Sequence, residues 1–305
     1  IDGEAGTTGL QIRERIAGRR DIALVQVDPA RRKDPVARTE AMAQADLVVL
    51  CLPDEAAREA VALAAGLPQG GPRILDASTA HRVAEGWVYG FPELAPEQPA
   101  LIRAARRVAN PGCYPTGAIA LLRPLVDAGL LPRDYPVTIN AVSGYSGGGK
   151  SMIEAYEAGT APAFELYALT LEHKHLPELL RYTGLSRRPI FVPSVGNFRQ
   201  GMLVSVPLHL DTLPGAPQAS DLEAALVARY AGCEYVTVVP AQGAKQLEPQ
   251  ALNGTNTLEL RVFANEARRH AVLVARLDNL GKGASGAAVQ NIEVMFGLSE
   301  ARKAA

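Results

Sequence analysis

The first hundred residues alternate short apolar runs with amphipathic helical patterns, and this alternation most constrains the fold. Residues 46–53 form a near-continuous apolar run, which is typical of a strand buried on both faces of a parallel sheet. A helical pattern follows at residues 54–65, and a second apolar run at 73–76 predicts the next strand. Because such alternation builds parallel sheets, we expect this half of the chain to be α/β.

A glycine-rich turn opens the chain ahead of an amphipathic helix predicted at residues 10–17. Gly3, Gly6 and Gly9 depart from the usual G-x-G-x-x-G spacing, but small residues still let the backbone approach a pyrophosphate at a helix N-terminus. The alternative is a turn that only caps the helix. Residues 1–2 are all that remains of a first strand, so we expect a few upstream residues to be missing from this numbering.

A basic cluster at residues 31–33 follows a second strand predicted at residues 22–27. In a dinucleotide-binding fold this position faces the adenosine ribose, so basic side chains there favour NADP over NAD. The alternative is a solvated basic loop. Residues 77–79 follow the strand at 73–76, at the sheet edge where open α/β sheets bind ligands.

Cys113 lies between a Pro-Gly turn and an apolar run, 117–122, that predicts a helix. A thiol at a helix N-terminus faces unpaired amide N–H groups and the positive end of the helix dipole, and both favour the thiolate. The alternative is a small buried hydrophobe. The turn residues on both sides favour a nucleophile here, whereas we interpret Cys51 and Cys233 as packing residues.

A second glycine-rich loop, residues 143–150, follows a strand predicted at residues 137–142 and ends in a lysine. Its closely spaced backbone N–H groups can form an anion-binding nest. The alternative is a flexible linker. A strand that leads directly into the loop favours the nest.

His173 and His175 are two residues apart, so in an extended chain they share a face. A zinc site would need another ligand, and none has suitable spacing. A histidine beside an activated cysteine favours proton transfer over a structural role. Glu178, in the first turn of a helix predicted to begin at Pro177, can orient an imidazole. We interpret the remaining histidines as structural: His81, His209 and His270.

The second half of the chain is rich in predicted strands. They lie at residues 190–193, 202–208, 235–239, 258–263 and 271–277. This pattern, with a helix at about 221–230, predicts an α+β domain with a mostly antiparallel or mixed sheet. One broad face of such a sheet often supports dimer packing. We expect a final helix, at about 285–296, to return to the first domain.

Composition argues against several classes of function. Net charge is −1, from 31 basic and 32 acidic residues without a long basic run, so nucleic acid is not an expected partner. Apolar segments fall short of the roughly 18 residues that span a bilayer, and the N-terminal residues do not resemble a secretory signal. Three widely spaced cysteines form neither a disulfide framework nor a metal site. We expect a soluble cytoplasmic protein without a metal or membrane partner.

Four blocks of sequence are together similar to those of a known family: residues 3–9, 110–116, 173–178 and 278–284. In order and content they resemble the shorter type of N-acetyl-gamma-glutamyl-phosphate reductase, in the semialdehyde dehydrogenase superfamily. The resemblance spans nearly the whole chain, and Gly-Cys-Tyr-Pro-Thr at 112–116 is its most specific part. Aspartate-semialdehyde dehydrogenases share the fold and chemistry, but their cysteine usually follows Asn-Pro-Asn.

The resemblance implies NADPH-dependent reduction of N-acetyl-L-glutamyl 5-phosphate to the 5-semialdehyde, with phosphate release, in arginine biosynthesis. Cys113 would form a thioester that hydride reduces, while His175, or alternatively His173, moves the proton. A homodimer or homotetramer is expected. The rival hypotheses are a dehydrogenase acting on aspartyl phosphate, a cysteine hydrolase or acyltransferase, and a non-catalytic NADP sensor.

We expect an NADP-binding domain at residues 1–112, completed by a C-terminal helix at about 284–305, and a catalytic and dimerisation domain at 113–283. The expected catalytic residues are Cys113, His175, His173 and Glu178. The expected NADP(H) contacts are Gly3, Gly6, Thr7, Thr8, Gly9, Arg31, Arg32, Lys33, Leu52, Pro53, Ser78, Thr79, Gly144, Asn279 and Lys282. The expected contacts to the acyl phosphate substrate are Asn110, Ser143, Ser146, Gly147 and Lys150.

Overall fold

The structure is a computed structural model that describes residues 1–241 and 243–298. The chain divides into two compact units. The first contains Ile1–Pro92, Glu97–Pro111 and the described residues from Ala284 onward, and the second contains Glu93–Pro96 and Gly112–Gly283. The part of the expected C-terminal helix at 299–305 lies outside the described residues.

Helices and a parallel sheet make up the first unit. Its helices before Cys113 are α1 (Thr7–Ile16), α2 (Pro35–Ala43), α3 (Asp54–Ala65) and α4 (Gln98–Ala104). Its strands are β1 (Leu47–Leu50), β2 (Arg73–Asp76), β3 (Val88–Tyr89) and β4 (Arg107–Ala109). They lie in the order β1-β2-β4-β3, and each neighbouring pair is parallel.

Apolar side chains cover both faces of this sheet. Val49 packs on one face with Ile12 of α1. On the other face Ile74 packs with Ala60 of α3. Because successive side chains of a strand point to opposite faces, a strand covered on both sides is apolar throughout, which explains the run at 46–53.

The prediction of a strand at residues 22–27 is wrong. The structure describes these residues, and they form no regular strand. A strand needs a backbone partner as well as β-branched residues. Among the described residues, the edge of β1 that does not pair with β2 forms only an isolated bridge, between Asp2 and Leu50. Leu24 and Val25 accordingly remain more than a third exposed.

A mixed sheet with helices forms the second unit. Its helices are α5 (Cys113–Asp127), α6 (Lys150–Glu157), α7 (Leu176–Thr183) and α8 (Ala219–Tyr230). Its strands are β5 (Thr138–Gly144), β6 (Phe164–Leu166), β7 (Ile190–Gly196), β8 (Met202–His209), β9 (Val236–Val238), β10 (Leu258–Asn265) and β11 (His270–Leu277). Their order is β6-β7-β5-β8-β11-β10-β9, with β5–β7 and β9–β10 parallel and the other pairs antiparallel. The chain then forms α9 (Gly286–Phe296) in the first unit.

The two faces of the mixed sheet differ in burial. Val204 and Leu273 are fully buried on the face beside α5. The cross-strand pair Val142 and Leu203 lies on the opposite, more open face. The predicted fold class, a Rossmann-like α/β domain and an α+β domain with a mixed sheet, is confirmed. Several short elements were not predicted: α2, α4, α6, β3, β4 and β6.

Candidate active site

Cys113 is the first residue of α5, directly after the N-cap Gly112. The amide of Thr116 donates to the carbonyl oxygen of Gly112 across 3.0 Å and closes the first turn. Cys113 is half-buried at this helix N-terminus, where the positive end of the helix dipole stabilises a thiolate. By contrast, burial raises the pKa of Cys51 to about 12, and burial also raises the pKa of Cys233.

Glu178 connects the cysteine turn with a histidine. It is almost completely buried, and its Oε2 accepts a hydrogen bond from the amide of Gly112 across 3.1 Å. Its Oε1 lies 3.2 Å from Nδ1 of His175, the N-cap residue of α7. One carboxylate therefore contacts both the turn before Cys113 and the imidazole of His175.

His173 lies beside His175 with its ring centroid 4.8 Å away. Its Nδ1 accepts a hydrogen bond from the backbone amide of His175 across 3.1 Å. A nitrogen that accepts a hydrogen bond carries a lone pair, so the proton of the neutral ring is on Nε2. The two rings lie close together, but in a turn with φ −85° and ψ −12° at His175, and not in the extended chain on which the prediction depended. Each ring has a different partner for Nδ1.

Gly283 packs directly against Cys113. A Cβ at this glycine would lie 2.9 Å from Cβ of Cys113, which is closer than side chains tolerate. The amide of Gly283 donates to the carbonyl of Asp278 across 3.0 Å, which fixes this approach. Asn279 and Lys282 of this segment are assigned to the cofactor from the sequence, whereas Gly283 is not identified there.

Asn279 connects Ser146 of the second glycine-rich loop to the backbone of Gly201. Its Nδ2 donates to Oγ of Ser146 across 2.9 Å, and its Oδ1 accepts from the amide of Gly201 across 2.8 Å. Gly144 is also held by Gly201, because its amide donates to that carbonyl across 2.9 Å. Loop residues predicted to bind the phosphate or the cofactor are thus tied together, although Asn279 and Ser146 were assigned to different ligands.

Ser143 and Gly147 complete this part of the loop. Ser143 is buried, and a Cβ at Gly147 would lie 3.0 Å from its Oγ. Lys150, by contrast, extends away, with 85% of its side chain exposed and its Nζ 3.7 Å from Glu154. The structure therefore groups Ser143, Ser146 and Gly147 and leaves Lys150 on the surface.

Lys282, expected to contact the cofactor, has a different partner. Its Nζ donates to both carboxylate oxygens of Glu93, at 2.8 and 2.9 Å, and the side chain is fully buried. Burial lowers the pKa of this lysine, while Glu93 opposes that shift. The ring of Tyr235 covers the ammonium at 5.4 Å. The carboxylate of Glu93 is therefore the partner of the Lys282 ammonium in this structure.

The glycine turn of the first unit requires glycine at specific positions. Gly3 has φ of +87°, and a Cβ there would collide with the backbone of Cys51. A Cβ at Gly9 would lie 2.6 Å from the carbonyl oxygen of Gly3. Gly6 is the N-cap of α1, which begins at Thr7 and Thr8. This close backbone leaves helix N–H groups free for an anion.

A cavity of about 610 Å³ lies beside this turn in the first unit. Predicted cofactor residues contribute to its lining: Gly3, Gly6, Arg32, Lys33, Leu52 and Pro53. Arg31 instead donates to Asp34 across 2.9 and 3.1 Å. Most of the remaining lining is apolar, so the fit to a phosphorylated dinucleotide depends on the glycine turn at the α1 N-terminus and on Arg32 and Lys33.

Three other predicted contacts of the first unit have protein partners. Ser78 Oγ donates to Asp76 across 2.7 Å. Thr79 Oγ1 donates to Asp54 across 2.6 Å. Nδ2 of Asn110 donates to the carbonyl of Ala284 across 3.1 Å. These hydroxyl and amide groups are therefore oriented by neighbouring side chains and backbone.

Residues 1–241 and 243–298 contain no group of three or more histidine, cysteine, aspartate or glutamate side chains arranged to hold a metal ion. None of their helices is both long and apolar enough to cross a membrane.

Two family models match the chain. One described as semialdehyde dehydrogenase, NAD binding domain, matches residues 6–102. The other, described as semialdehyde dehydrogenase, dimerisation domain, matches residues 113–279.

Curated relatives match over nearly the full length. N-acetyl-gamma-glutamyl-phosphate reductase of Chelativorans sp. (strain BNC1) is 58% identical over 303 residues, which is 97% of each chain. N-acetyl-gamma-glutamyl-phosphate reductase 2 of Pseudomonas putida (strain KT2440) is 54% identical over 307 residues, covering 99% of this chain and 97% of the relative.

Solved structures share the fold at low sequence identity. Aspartate semialdehyde dehydrogenase II of Vibrio cholerae, complexed with ASA, has a TM-score of 0.70 at 16% identity over 96% of each chain. Aspartate semialdehyde dehydrogenase of Candida albicans, with NADP, has a TM-score of 0.66 at 12% identity over 96% of each chain. At these identities the likeness concerns the fold alone.

Proposed function

The chain belongs to the N-acetyl-gamma-glutamyl-phosphate reductases of the semialdehyde dehydrogenase family, and we propose that it reduces N-acetyl-L-glutamyl 5-phosphate with NADPH. The products are N-acetyl-L-glutamate 5-semialdehyde, NADP and phosphate, and the reaction belongs to arginine biosynthesis. The observation that carries this proposal is the buried carboxylate of Glu178 between the turn of Cys113 and the ring of His175.

Cys113 is the nucleophile in this proposal. Its thiolate attacks the acyl carbon, and the bond from that carbon to the phosphate oxygen breaks. Phosphate departs, and a thioester remains on Cys113. The position of Cys113 at the start of α5 supports this role, because the positive end of the helix dipole stabilises the thiolate. Cys51 follows β1 and does not start a helix, and burial raises its pKa, so it lacks such an environment.

His175 moves the proton. When bound, NADPH supplies the hydride that reduces the thioester carbon. Nε2 of His175 protonates the resulting hemithioacetal oxygen and takes the proton back as the C–S bond breaks, which releases the aldehyde and the thiolate. Support comes from Glu178, since a carboxylate beside Nδ1 keeps a proton on that nitrogen and leaves Nε2 for the substrate.

The dinucleotide occupies the cavity of the first unit. Gly3 and Gly6 leave room for the pyrophosphate at the α1 N-terminus, and Arg32 and Lys33 bind the 2′-phosphate. Their places in the cavity lining support this assignment. The loop that contains Ser143, Ser146 and Gly147 is our candidate for the substrate anion.

One assay tests the proposal directly. In the reverse direction, we expect phosphate-dependent reduction of NADP with N-acetyl-L-glutamate 5-semialdehyde, and Cys113→Ser should abolish it while Cys51→Ala retains it. Aspartate semialdehyde, under the same conditions, should be a poor substrate. A preference for aspartate semialdehyde would contradict the proposed substrate, and activity without phosphate would contradict the phosphorylating mechanism.

We also propose that the enzyme is a homo-oligomer that associates through the open face of the mixed sheet. Val192 lies on this face together with Val142 and Leu203, as the strand register places them in one layer. At the β6 edge, Phe164 and Leu166 are about half exposed. The register also places the polar residues Asn140 and Arg276 on this face. Exposed apolar side chains mixed with polar ones on one sheet face are typical of a protein interface.

The state of association can be measured by sedimentation. Leu203→Glu places a charge on the open face and should produce monomers. Val227→Glu, on an exposed position of α8 in the same unit, is the matched control and should leave association unchanged. Monomeric wild-type enzyme would contradict this part of the proposal. We place the enzyme in the cytoplasm, because a reducing compartment keeps Cys113 as a free thiol.

A further inference from the structure

The segment from Tyr167 to His175, which we call the histidine loop, joins β6 to α7 and carries both active-site histidines. Ala168 and Leu171 have φ of 53° and 59°, in the left-handed region that residues with a Cβ rarely adopt. Such a backbone persists only where surrounding contacts hold it. Leu171 is 51% exposed, so burial of its side chain does not provide that hold.

Tyr167 holds the N-terminal end of the loop. Its hydroxyl donates to the hydroxyl of Tyr114 across 3.1 Å, and Tyr114 donates to the carbonyl of Ser194 across 3.0 Å. Burial raises the pKa of Tyr167 to about 12, so the donated proton remains in place at neutral pH. Because Tyr114 follows Cys113 directly, this contact connects the histidine loop to the helix of the nucleophile.

Arg188 holds the middle of the loop. One guanidinium nitrogen donates to the carbonyl of Leu171 across 2.8 Å and to Glu172 across 2.7 Å. The other donates to the second oxygen of Glu172 across 3.1 Å. A planar guanidinium makes this paired contact and a lysine cannot. The contact fixes the two residues immediately before His173.

We propose that Tyr167 and Arg188 are positioning residues that keep the strained turn between them in place and so present His173 to the acyl substrate. The ring of His173 rests at 5.1 Å from the ring of Phe191 and 5.8 Å from that of Tyr167. If either contact is lost, the turn relaxes and the ring of His173 leaves this position. The consequence for catalysis rests on the proposed function, whereas the hold on the loop does not.

Two readouts test the proposal in the full-length enzyme, with the variants Tyr167→Phe and Arg188→Gln. The first is hydrogen exchange at the amides of Leu171 and His175, which donate to Ala168 O and His173 Nδ1. We expect exchange there to accelerate about three- to tenfold, the effect of losing one hydrogen bond. The second is the KM for N-acetyl-L-glutamate 5-semialdehyde, which should rise by a similar factor with the KM for NADP unchanged.

Matched controls separate positioning from general loosening. Tyr135→Phe and Arg187→Gln make the same chemical changes in the second unit and should leave both readouts unchanged. Arg188→Lys should behave as Arg188→Gln does, because it keeps the charge but not the paired contact. In the double variant Tyr167→Phe/Arg188→Gln, the effects should fall short of the product of the single effects, since both residues hold one segment.

Several results would overturn the proposal. Unchanged exchange at Leu171 and His175 in both single variants would show that neither residue holds the loop. Acceleration spread evenly through the second unit would show a general structural role. Faster exchange in the loop with an unaltered KM would show that the loop does not present His173. If the wild-type enzyme lacked the proposed activity, the exchange measurements would still decide whether the loop is held.

Discussion

The side-chain carboxylate of Glu178 accepts a hydrogen bond from the backbone amide of Gly112, although 66 residues separate them in sequence. Gly112 is the N-cap of α5, and Glu178 lies in the first turn of α7. The contact therefore fixes the entry of α5 relative to α7, the helix that His175 caps. Because the same carboxylate lies 3.2 Å from Nδ1 of His175, it contacts both the proposed proton-transfer residue and the turn before the proposed nucleophile.

This double role predicts different results for two substitutions of Glu178. Glu178→Gln retains an oxygen that can accept from Gly112 but loses the charge beside His175, so kcat should fall at least about tenfold with little change in stability. Glu178→Ala also leaves the Gly112 amide buried without its acceptor, which should lower the free energy of unfolding by about 1–3 kcal/mol. Urea unfolding and kcat measure these effects. Equal stability losses in both variants would contradict the role of the Gly112 contact.

The cysteines should differ in reactivity. Cys113 at the start of α5 should be alkylated by iodoacetamide near pH 8 much faster than the other two, because the thiolate is the reacting form. Burial raises the pKa of Cys51 to about 12, so its thiol remains protonated until well above that pH. Mass spectrometry of the labelled peptides measures the order. Faster labelling of Cys51 than of Cys113 would contradict this order. The variants Cys51→Ala and Cys233→Ala should retain activity.

The basic cluster should divide into residues that bind the cofactor and one that does not. Arg32 and Lys33 line the cavity, whereas Arg31 is paired with Asp34. A charge-assisted contact to phosphate contributes about 1.5–3 kcal/mol. Arg32→Ala/Lys33→Ala should therefore raise the KM for NADPH at least about tenfold and hardly alter that for NADH. Arg31→Ala is the matched control, and an equal effect from it would contradict this division.

Close packing over the nucleophile predicts that Gly283 tolerates no side chain. Gly283→Ala would bring a Cβ to 2.9 Å from Cβ of Cys113, so the nucleophile must shift, and a small misplacement of reacting atoms can cost about 100-fold in rate. Gly66→Ala is the control, because the nearest atom to its added Cβ is 3.5 Å away. Single-turnover rates compare the two. Full activity of Gly283→Ala would show that Cys113 needs no such constraint.

Local signals made part of the site predictable from the sequence. The Pro-Gly turn before an apolar run located Cys113 at a helix start. The rings of His173 and His175 do lie close together, but a turn brings them there and not the extended chain that their spacing suggested. The contact from Glu178 to Gly112 depends on the packing of two helices distant in sequence, which no local pattern encodes. For the same reason, residues 22–27 have a strand-like sequence but no backbone partner.

The two histidines provide the most discriminating prediction. His175 has the Glu178 carboxylate beside Nδ1, so His175→Asn should lower kcat by about 10²–10⁴-fold and remove a pH limb near neutrality, with the substrate KM little altered. In His173→Asn, the new side-chain oxygen can still accept from the His175 amide, which Nδ1 of His173 accepts in the wild type. That variant should therefore keep kcat and mainly raise the KM for the acyl substrate. Steady-state kinetics across pH 6–9 measures both. Exchanged phenotypes would transfer the acid–base role to His173, and two unimpaired variants would require that another group moves the proton.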